Sequence, residues 1–164
     1  MISATDITNT IDELDVLFNA NPAQATYYSK LALLELCGWL ELTMDCIIED
    51  CSTTKLTSAS NIKFVKDTVI GSTYGFHYDQ HFRPMLMKMI GLIKLEQIES
   101  GLSTSGDLNR LESTLGTLYQ ARKRAAHTNI DGTTLTYEAP SKIKFYLTTL
   151  FPILQQYEAQ LQAI

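Results

Sequence analysis

The stretch KLALLELCGWLELTMDCIIEDC, residues 30–51, decides the fold class of this chain. Its apolar residues recur at alternating intervals of four and three positions, a spacing that places them on one side of an α-helix. The residues that share this side are Leu33, Cys37, Leu40, Met44, Ile47 and Cys51. Other leucines and Trp39 make the segment apolar almost all round. We therefore predict a long central helix in a helical bundle.

Apolar residues at helical spacing, separated by polar linkers, predict further helices on both sides of this segment. The predicted helices are Asp6–Phe18, Ala23–Ser52, Ile62–Ile70, Pro84–Glu99, Leu108–Ala126 and a last helix that begins after Pro140. The stretch SGLSTSGD, residues 100–107, is predicted to be a linker. The sequence thus predicts an all-α, up-and-down bundle of about five or six helices. A length of 164 residues suits a single domain that covers residues 1–164.

Composition and charge exclude several classes of protein. Hydrophobic residues make up 45% and charged residues 19%, which predicts a globular rather than a disordered chain. The formal net charge of −5 argues against attraction of nucleic acid to the whole surface, so any such contact needs a local basic patch. The apolar segment Leu31–Ile48 is interrupted by Glu35, Glu41 and Asp45, and we expect no membrane span.

The cysteines and the first residues indicate a cytoplasmic protein. Cys37, Cys46 and Cys51 all fall in the central helix, where they are badly placed to bridge one another. We predict three reduced cysteines in the core. The opening residues MISATDITNTIDEL contain acids and no apolar run, which is not typical of a signal peptide.

The most unusual local feature is YQARKRAAHTN, residues 119–129, where Arg122, Lys123 and Arg124 precede His127. The polar residues that follow predict that the helix ends here, with His127 in its last turn or just past it. An imidazole moves protons near neutral pH, and a guanidinium matches the oxygens of a phosphate. Together they could cleave RNA without a metal, by attack of the substrate's own 2′-hydroxyl. The alternative is that cations simply stabilise a helix C-terminus.

The segment ARKRAAH, residues 121–127, resembles the Arg-x4-His motif of HEPN domains. RKRAAHTN is similar to the RNxxAHG of the RiboL-PSP-like and MAE-type branch of that family. The long apolar helix with an acidic residue, and the helix after the histidine, also fit the family. The resemblance extends over about residues 27–161, but only the short motif is specific.

The resemblance implies an all-α homodimer in which two Arg-x4-His segments meet as an endoribonuclease that needs neither metal nor cofactor. Many members of the family are toxins or host-defence effectors. By position, Arg122 and His127 are the predicted catalytic pair. Lys123, Arg124 and Asn129 are the predicted contacts to RNA, and an antitoxin or another protein is a candidate partner.

Two departures from the family pattern keep an alternative open. Lys123 stands where the family prefers asparagine, aspartate or histidine, and Thr128 stands where glycine is usual. A lysine could add affinity for phosphate or disturb the geometry of the site. The alternative function is a non-catalytic module of the same fold that docks a partner protein or a nucleotide.

An acidic stripe runs along the central helix, where Glu41, Asp45 and Glu49 are four positions apart. Glu49 is predicted to be solvated, whereas Glu41 lies in the apolar context GWLELTM. A buried carboxylate needs a cationic partner. We therefore predict that Glu41 pairs with Arg122 or Arg124 and supports the arginine of the motif.

The loop GSTYGFHYDQHF, residues 71–82, combines aromatic residues with His77 and His81. Two histidines four apart can hold a metal on a helix, but Gly75 and Pro84 favour a loop, and no metal site is predicted. The aromatic residues of the loop either pack it onto the bundle or stack on RNA bases. They are Tyr74, Phe76, Tyr78 and Phe82.

Overall fold

The computed structural model describes residues 1–127 and 136–164. Within these ranges the chain forms six α-helices and no β-strand, which confirms the predicted all-α bundle. The helices are α1 (Thr5–Ala20), α2 (Ala25–Lys55), α3 (Ala59–Phe64), α4 (Arg83–Ser105), α5 (Asp107–Ala126) and α6 (Pro140–Ala163).

Helix α2 is the centre of the bundle, as its sequence predicts. It packs against α1, α4, α5 and α6. All six residues of the predicted side are buried, and none is more than 3% exposed. Each buried leucine of this kind contributes about 1.5–3 kcal/mol relative to an exposed one. The helix therefore provides a rigid frame for the side chains that it carries.

The boundary between α4 and α5 differs from the prediction. Helix α4 continues through the predicted linker to Ser105, and only Gly106, with a left-handed φ of 78°, separates it from α5. The hydroxyl groups of Ser103 and Ser105 donate to carbonyls of their own helix, so these polar residues do not interrupt it. Leu102 is buried and anchors the extended turn to the core.

Helix α4 also contains a break that the sequence analysis did not predict. Gly91 has φ 75° and ψ 160°, which are not helical values. The break turns Leu92 and Ile93 toward solvent, where both are exposed. A glycine can occupy this backbone conformation without steric cost, whereas other residues rarely do.

The segment between α3 and α4 holds the aromatic loop against the bundle. The chain passes through a π-helical segment, Val65–Ile70, and returns through a π-helical turn, Tyr78–Phe82, that leads into α4. Phe76, Tyr78 and Phe82 are buried, so of the two alternatives these three rings pack the loop onto the bundle, while Tyr74 is exposed.

A partly buried hydrogen-bond network fixes the start of α4. The hydroxyl of Tyr78 donates to Oε1 of Glu99 at 2.7 Å, and Arg83 donates to both oxygens of the same carboxylate at 2.6 and 3.2 Å. Because the single hydroxyl hydrogen of Tyr78 goes to Glu99, the hydroxyl of Tyr157, 2.7 Å away, donates to Tyr78. The network ties the aromatic loop to α4 and α6.

The three cysteines are free thiols, but they do not share one environment. Cys37 and Cys51 are buried, as predicted, whereas Cys46 is exposed. The prediction for Cys46 was wrong because an apolar helix segment can still leave one narrow strip facing solvent. None of the helices in residues 1–127 and 136–164 combines the length and the apolar character that a membrane span requires.

Candidate functional site

The predicted partnership between Glu41 and the basic segment is present in the fold. Nη2 of Arg122, near the end of α5, lies 3.2 Å from Oε2 of Glu41 in the middle of α2. The two side chains are 37% and 23% exposed. An ion pair this exposed adds only about 0.2–1 kcal/mol to stability. Its clearer effect is to hold the guanidinium in one place while leaving a face of it open to solvent.

Phe76 of the aromatic loop supports the same arginine from another side. The central carbon of the Arg122 guanidinium lies 5.9 Å from the centre of the Phe76 ring, within the range of a cation–π interaction. Phe76 itself is fully buried and packs edge-on against Tyr119. The arginine is therefore positioned by three elements, namely α2, α5 and the loop.

His127 lies at the predicted place but not next to Arg122. It follows α5 directly as the C-terminal cap residue, and its backbone N–H donates to the carbonyl of Arg124 at 3.3 Å. The residue is exposed. Within the described parts of the chain, no contact joins its side chain to Arg122. Residues five apart on a helix point about 140° away from each other, which explains the separation.

The other predicted substrate contacts are distributed around the end of α5. Lys123 and Arg124 are exposed in its last turn. Arg124 lines a cavity of about 250 Å³ between α5, α6 and residues 136–138, and Arg122 does not line that cavity. The fold thus separates the two arginines. Asn129 lies outside the described residues.

Two histidines that were not predicted as site residues pack on Tyr119, one helical turn before Arg122. The rings of His77 and His81 contact Tyr119 of α5, with ring centres 5.4 and 5.7 Å from it. Tyr119 precedes Arg122 by three residues, so the two share one face of the helix. The sequence signal was the HYDQH pattern, but the sequence does not say which helix the loop packs against. No group of three or more metal-ligating side chains occurs among the described residues.

The environment of His81 favours its neutral form. Burial and the charge of the neighbouring His77 lower the pKa of His81, Glu41 and the backbone of His77 oppose them, and the Arg122 guanidinium lowers the pKa a little further. The backbone N–H of His77 donates to Nδ1 of His81 at 3.1 Å. Nδ1 of His77 is buried, and no described residue forms a hydrogen bond with it.

The other two residues of the acidic stripe, Asp45 and Glu49, lie in different environments. Burial, together with Glu41 and Glu49, raises the pKa of Asp45 to about 6. Glu49 lies at the surface, 3.6 Å from Nζ of Lys66. The prediction that Glu49 is solvated is therefore confirmed, and Glu41 is the member of the stripe that contacts the basic segment.

Comparisons of the chain with protein family models, with curated proteins and with solved structures find no match. The fold and the site together define the chain as an all-α bundle with a partly exposed arginine, which is held by the Glu41 carboxylate and the Phe76 ring. Two imidazole rings pack on Tyr119, one helical turn before that arginine.

Proposed function

We propose that this protein is a metal-independent endoribonuclease of HEPN type, which acts as a homodimer. In this proposal Arg122 and His127 of both chains converge on one phosphodiester of RNA. The observation that supports it is the state of Arg122, whose guanidinium is held by Glu41 and Phe76 while its side chain is still 37% exposed. A fixed and accessible guanidinium is suited to bind a phosphate.

A second copy of the chain would complete the site. Because no contact in the described residues brings His127 to Arg122, the imidazole is proposed to approach the arginine of the partner chain. Pairing also concentrates positive charge, since two segments with Arg122, Lys123 and Arg124 would lie together in an otherwise acidic protein of net charge −5.

The proposed reaction needs only groups of the protein and of the substrate. The 2′-oxygen of RNA attacks the adjacent phosphorus, and the bond from phosphorus to the 5′-oxygen breaks. The 2′-hydroxyl proton is removed and the 5′-oxygen receives a proton, with His127 in the transfer. Arg122 stabilises the charge on the phosphoryl oxygens. The products are a 2′,3′-cyclic phosphate and a 5′-hydroxyl end.

The cellular role that belongs to this proposal is that of a cytoplasmic toxin or host-defence effector. Such an enzyme would need to be restrained in its own cell, for which an antitoxin is the proposed protein partner. Lys123, Arg124 and Asn129 are proposed to contact the RNA beside the scissile phosphate.

Cleavage of RNA in EDTA by purified protein tests the enzyme. The expected result is EDTA-resistant cleavage that falls about 100-fold or more in His127→Ala, because proton transfer contributes about 10²–10⁴-fold to such reactions. Lys142→Ala, which removes an exposed cation of α6, serves as the matched control and is expected to retain activity. Equal cleavage by wild type and His127→Ala would refute the catalytic role of His127.

A non-catalytic binding module is the second candidate. The ion pair with Glu41 favours it, since the carboxylate already neutralises part of the charge of Arg122. In that case purified protein binds RNA or a nucleotide in EDTA without cleaving it. Sedimentation of the wild type then decides whether the binding unit is a monomer or a dimer.

A further inference from the structure

The ring of His81 can offer only one of its nitrogens to a ligand. Its Nδ1 accepts the backbone N–H of His77 at 3.1 Å. An accepting imidazole nitrogen carries no proton, so the neutral ring has its hydrogen on Nε2. The hydrogen bond therefore selects the tautomer in which Nε2 is a donor.

The position of this ring is fixed by its surroundings. On one side it packs on Tyr119, at 5.7 Å between ring centres. On another side lies Gly75, where a Cβ atom would come within 2.9 Å of Cε1 of the ring. The residue also belongs to the π-helical turn Tyr78–Phe82. A ring held in this way loses little entropy when it binds a ligand.

The ring of His81 and the side chain of Arg122 are linked through α5 and through the aromatic loop. Tyr119, on which His81 packs, lies one turn before Arg122 on α5. Phe76, from the same loop as His81, supports the Arg122 guanidinium at 5.9 Å. The ring is also near enough to the ion pair that both Glu41 and Arg122 influence its pKa.

We propose that His81 is a further substrate-binding residue, whose Nε2–H donates a hydrogen bond to a phosphoryl oxygen of the RNA that Arg122 holds. This inference rests on the proposed function in so far as Arg122 binds a phosphodiester. It adds a second donor from the same chain, independent of the partner chain that supplies His127.

The proposed role of His81 is to bind the anion, and proton transfer stays with His127. With Nδ1 occupied, neutral His81 accepts a proton only if it loses the bond from the His77 backbone. Burial and the charges of His77 and Arg122 lower the pKa of His81 and disfavour that protonation, although Glu41 and the backbone of His77 act in the opposite direction. His127, in contrast, is exposed at the end of α5.

The test measures binding without cleavage. A fluorescent single-stranded RNA with 2′-O-methyl groups, which cannot react, is titrated with protein in EDTA and followed by anisotropy. His81→Ala is expected to bind about tenfold or more weakly, as for loss of a hydrogen bond to a charged group. His81→Gln keeps an N–H donor near the position of Nε2 and is expected to restore most of the binding.

His77→Ala is the matched control for packing. Its ring contacts Tyr119 as the ring of His81 does, and the variant keeps the backbone N–H that fixes the tautomer. It is expected to bind like wild type. Thermal unfolding of each variant establishes that it is folded. Equal loss of binding in His77→Ala and His81→Ala would overturn the proposal, because packing alone would explain it.

The remaining outcomes separate this inference from the proposed function. Unchanged binding by His81→Ala overturns the inference, and loss of cleavage in His127→Ala then still supports the enzyme. Weak binding by His81→Ala that His81→Gln restores supports the inference, whether or not RNA is cleaved. Absence of cleavage by the wild type and all variants would refute the enzyme alone. A wild-type protein that does not bind the RNA overturns both.

Discussion

Replacement of Glu41 by glutamine is expected to release Arg122 while leaving the protein folded. The carboxylate lies 3.2 Å from the guanidinium, and the side chains are 23% and 37% exposed. Solvent screening limits the loss from such a pair to about 0.2–1 kcal/mol of unfolding free energy. The neighbouring Asp45 partly offsets this loss, because Glu41 helps to raise its pKa and the repulsion disappears in the variant.

The effect on activity is expected to exceed the effect on stability. A guanidinium that is no longer held by Glu41 samples several positions, and a misplaced catalytic group commonly costs tenfold or more in rate. We expect single-turnover cleavage by Glu41→Gln to fall about tenfold, which corresponds to about 1.4 kcal/mol of activation free energy. Binding of RNA is expected to hold or improve, since a carboxylate no longer competes with phosphate for Arg122.

A double-mutant cycle with Arg122→Gln measures the pair directly in urea unfolding. The expected coupling energy is about 0.5–1 kcal/mol. Glu49→Gln is the matched control. It removes a charge from the same acidic stripe, but from a carboxylate whose partner is Lys66. If Glu41→Gln retains wild-type cleavage and the cycle shows no coupling, Glu41 does not position Arg122.

Three further predictions concern the frame around the site. Because the folded state raises the pKa of Asp45 from 3.8 to about 6, it binds the proton more tightly than the unfolded chain, and stability falls as pH rises through this range. Asp45→Asn should therefore stabilise the protein by about 1 kcal/mol near pH 7.5 and less near pH 4, after allowance for partial exposure. The test is urea unfolding at both pH values, and equal effects would contradict the reasoning. Tyr78→Phe should cost about 2 kcal/mol, because it removes one donor to the Glu99 carboxylate and leaves the buried Tyr157 hydroxyl without its acceptor. Tyr157→Phe should cost about 1 kcal/mol, because it removes only the hydrogen bond that Tyr157 donates to Tyr78. The reverse order in chemical denaturation would refute the donor assignment. Gly75→Ala should lower the melting temperature, because the backbone φ of 134° is strained for alanine. It should also change the NMR signals of His81, because the new methyl group would collide with the ring of that residue.

The helices could be predicted because their signal is local. The spacing of Leu33, Cys37 and Leu40 defines a buried side wherever α2 packs, since residues three and four apart always share a helix face. The apolar context of Glu41 is also a local signal, and it predicted a cationic partner for this carboxylate. In the structure that partner is Arg122. The end of α4 was predicted too early, because serines read as a linker can donate to their own helix.

The sequence by itself determined an all-α chain, a central apolar helix and a basic segment at the end of α5. Tertiary structure alone decided that Phe76 stands beside Arg122, that His81 packs on Tyr119 one helical turn before it, and that His127 does not contact Arg122. Helical periodicity fixes which residues share a face, but the path of a loop depends on contacts with residues far away in the chain. The aromatic loop reaches α5 because Phe76 and Tyr78 are buried among helices that follow it in sequence, and no local pattern contains that information.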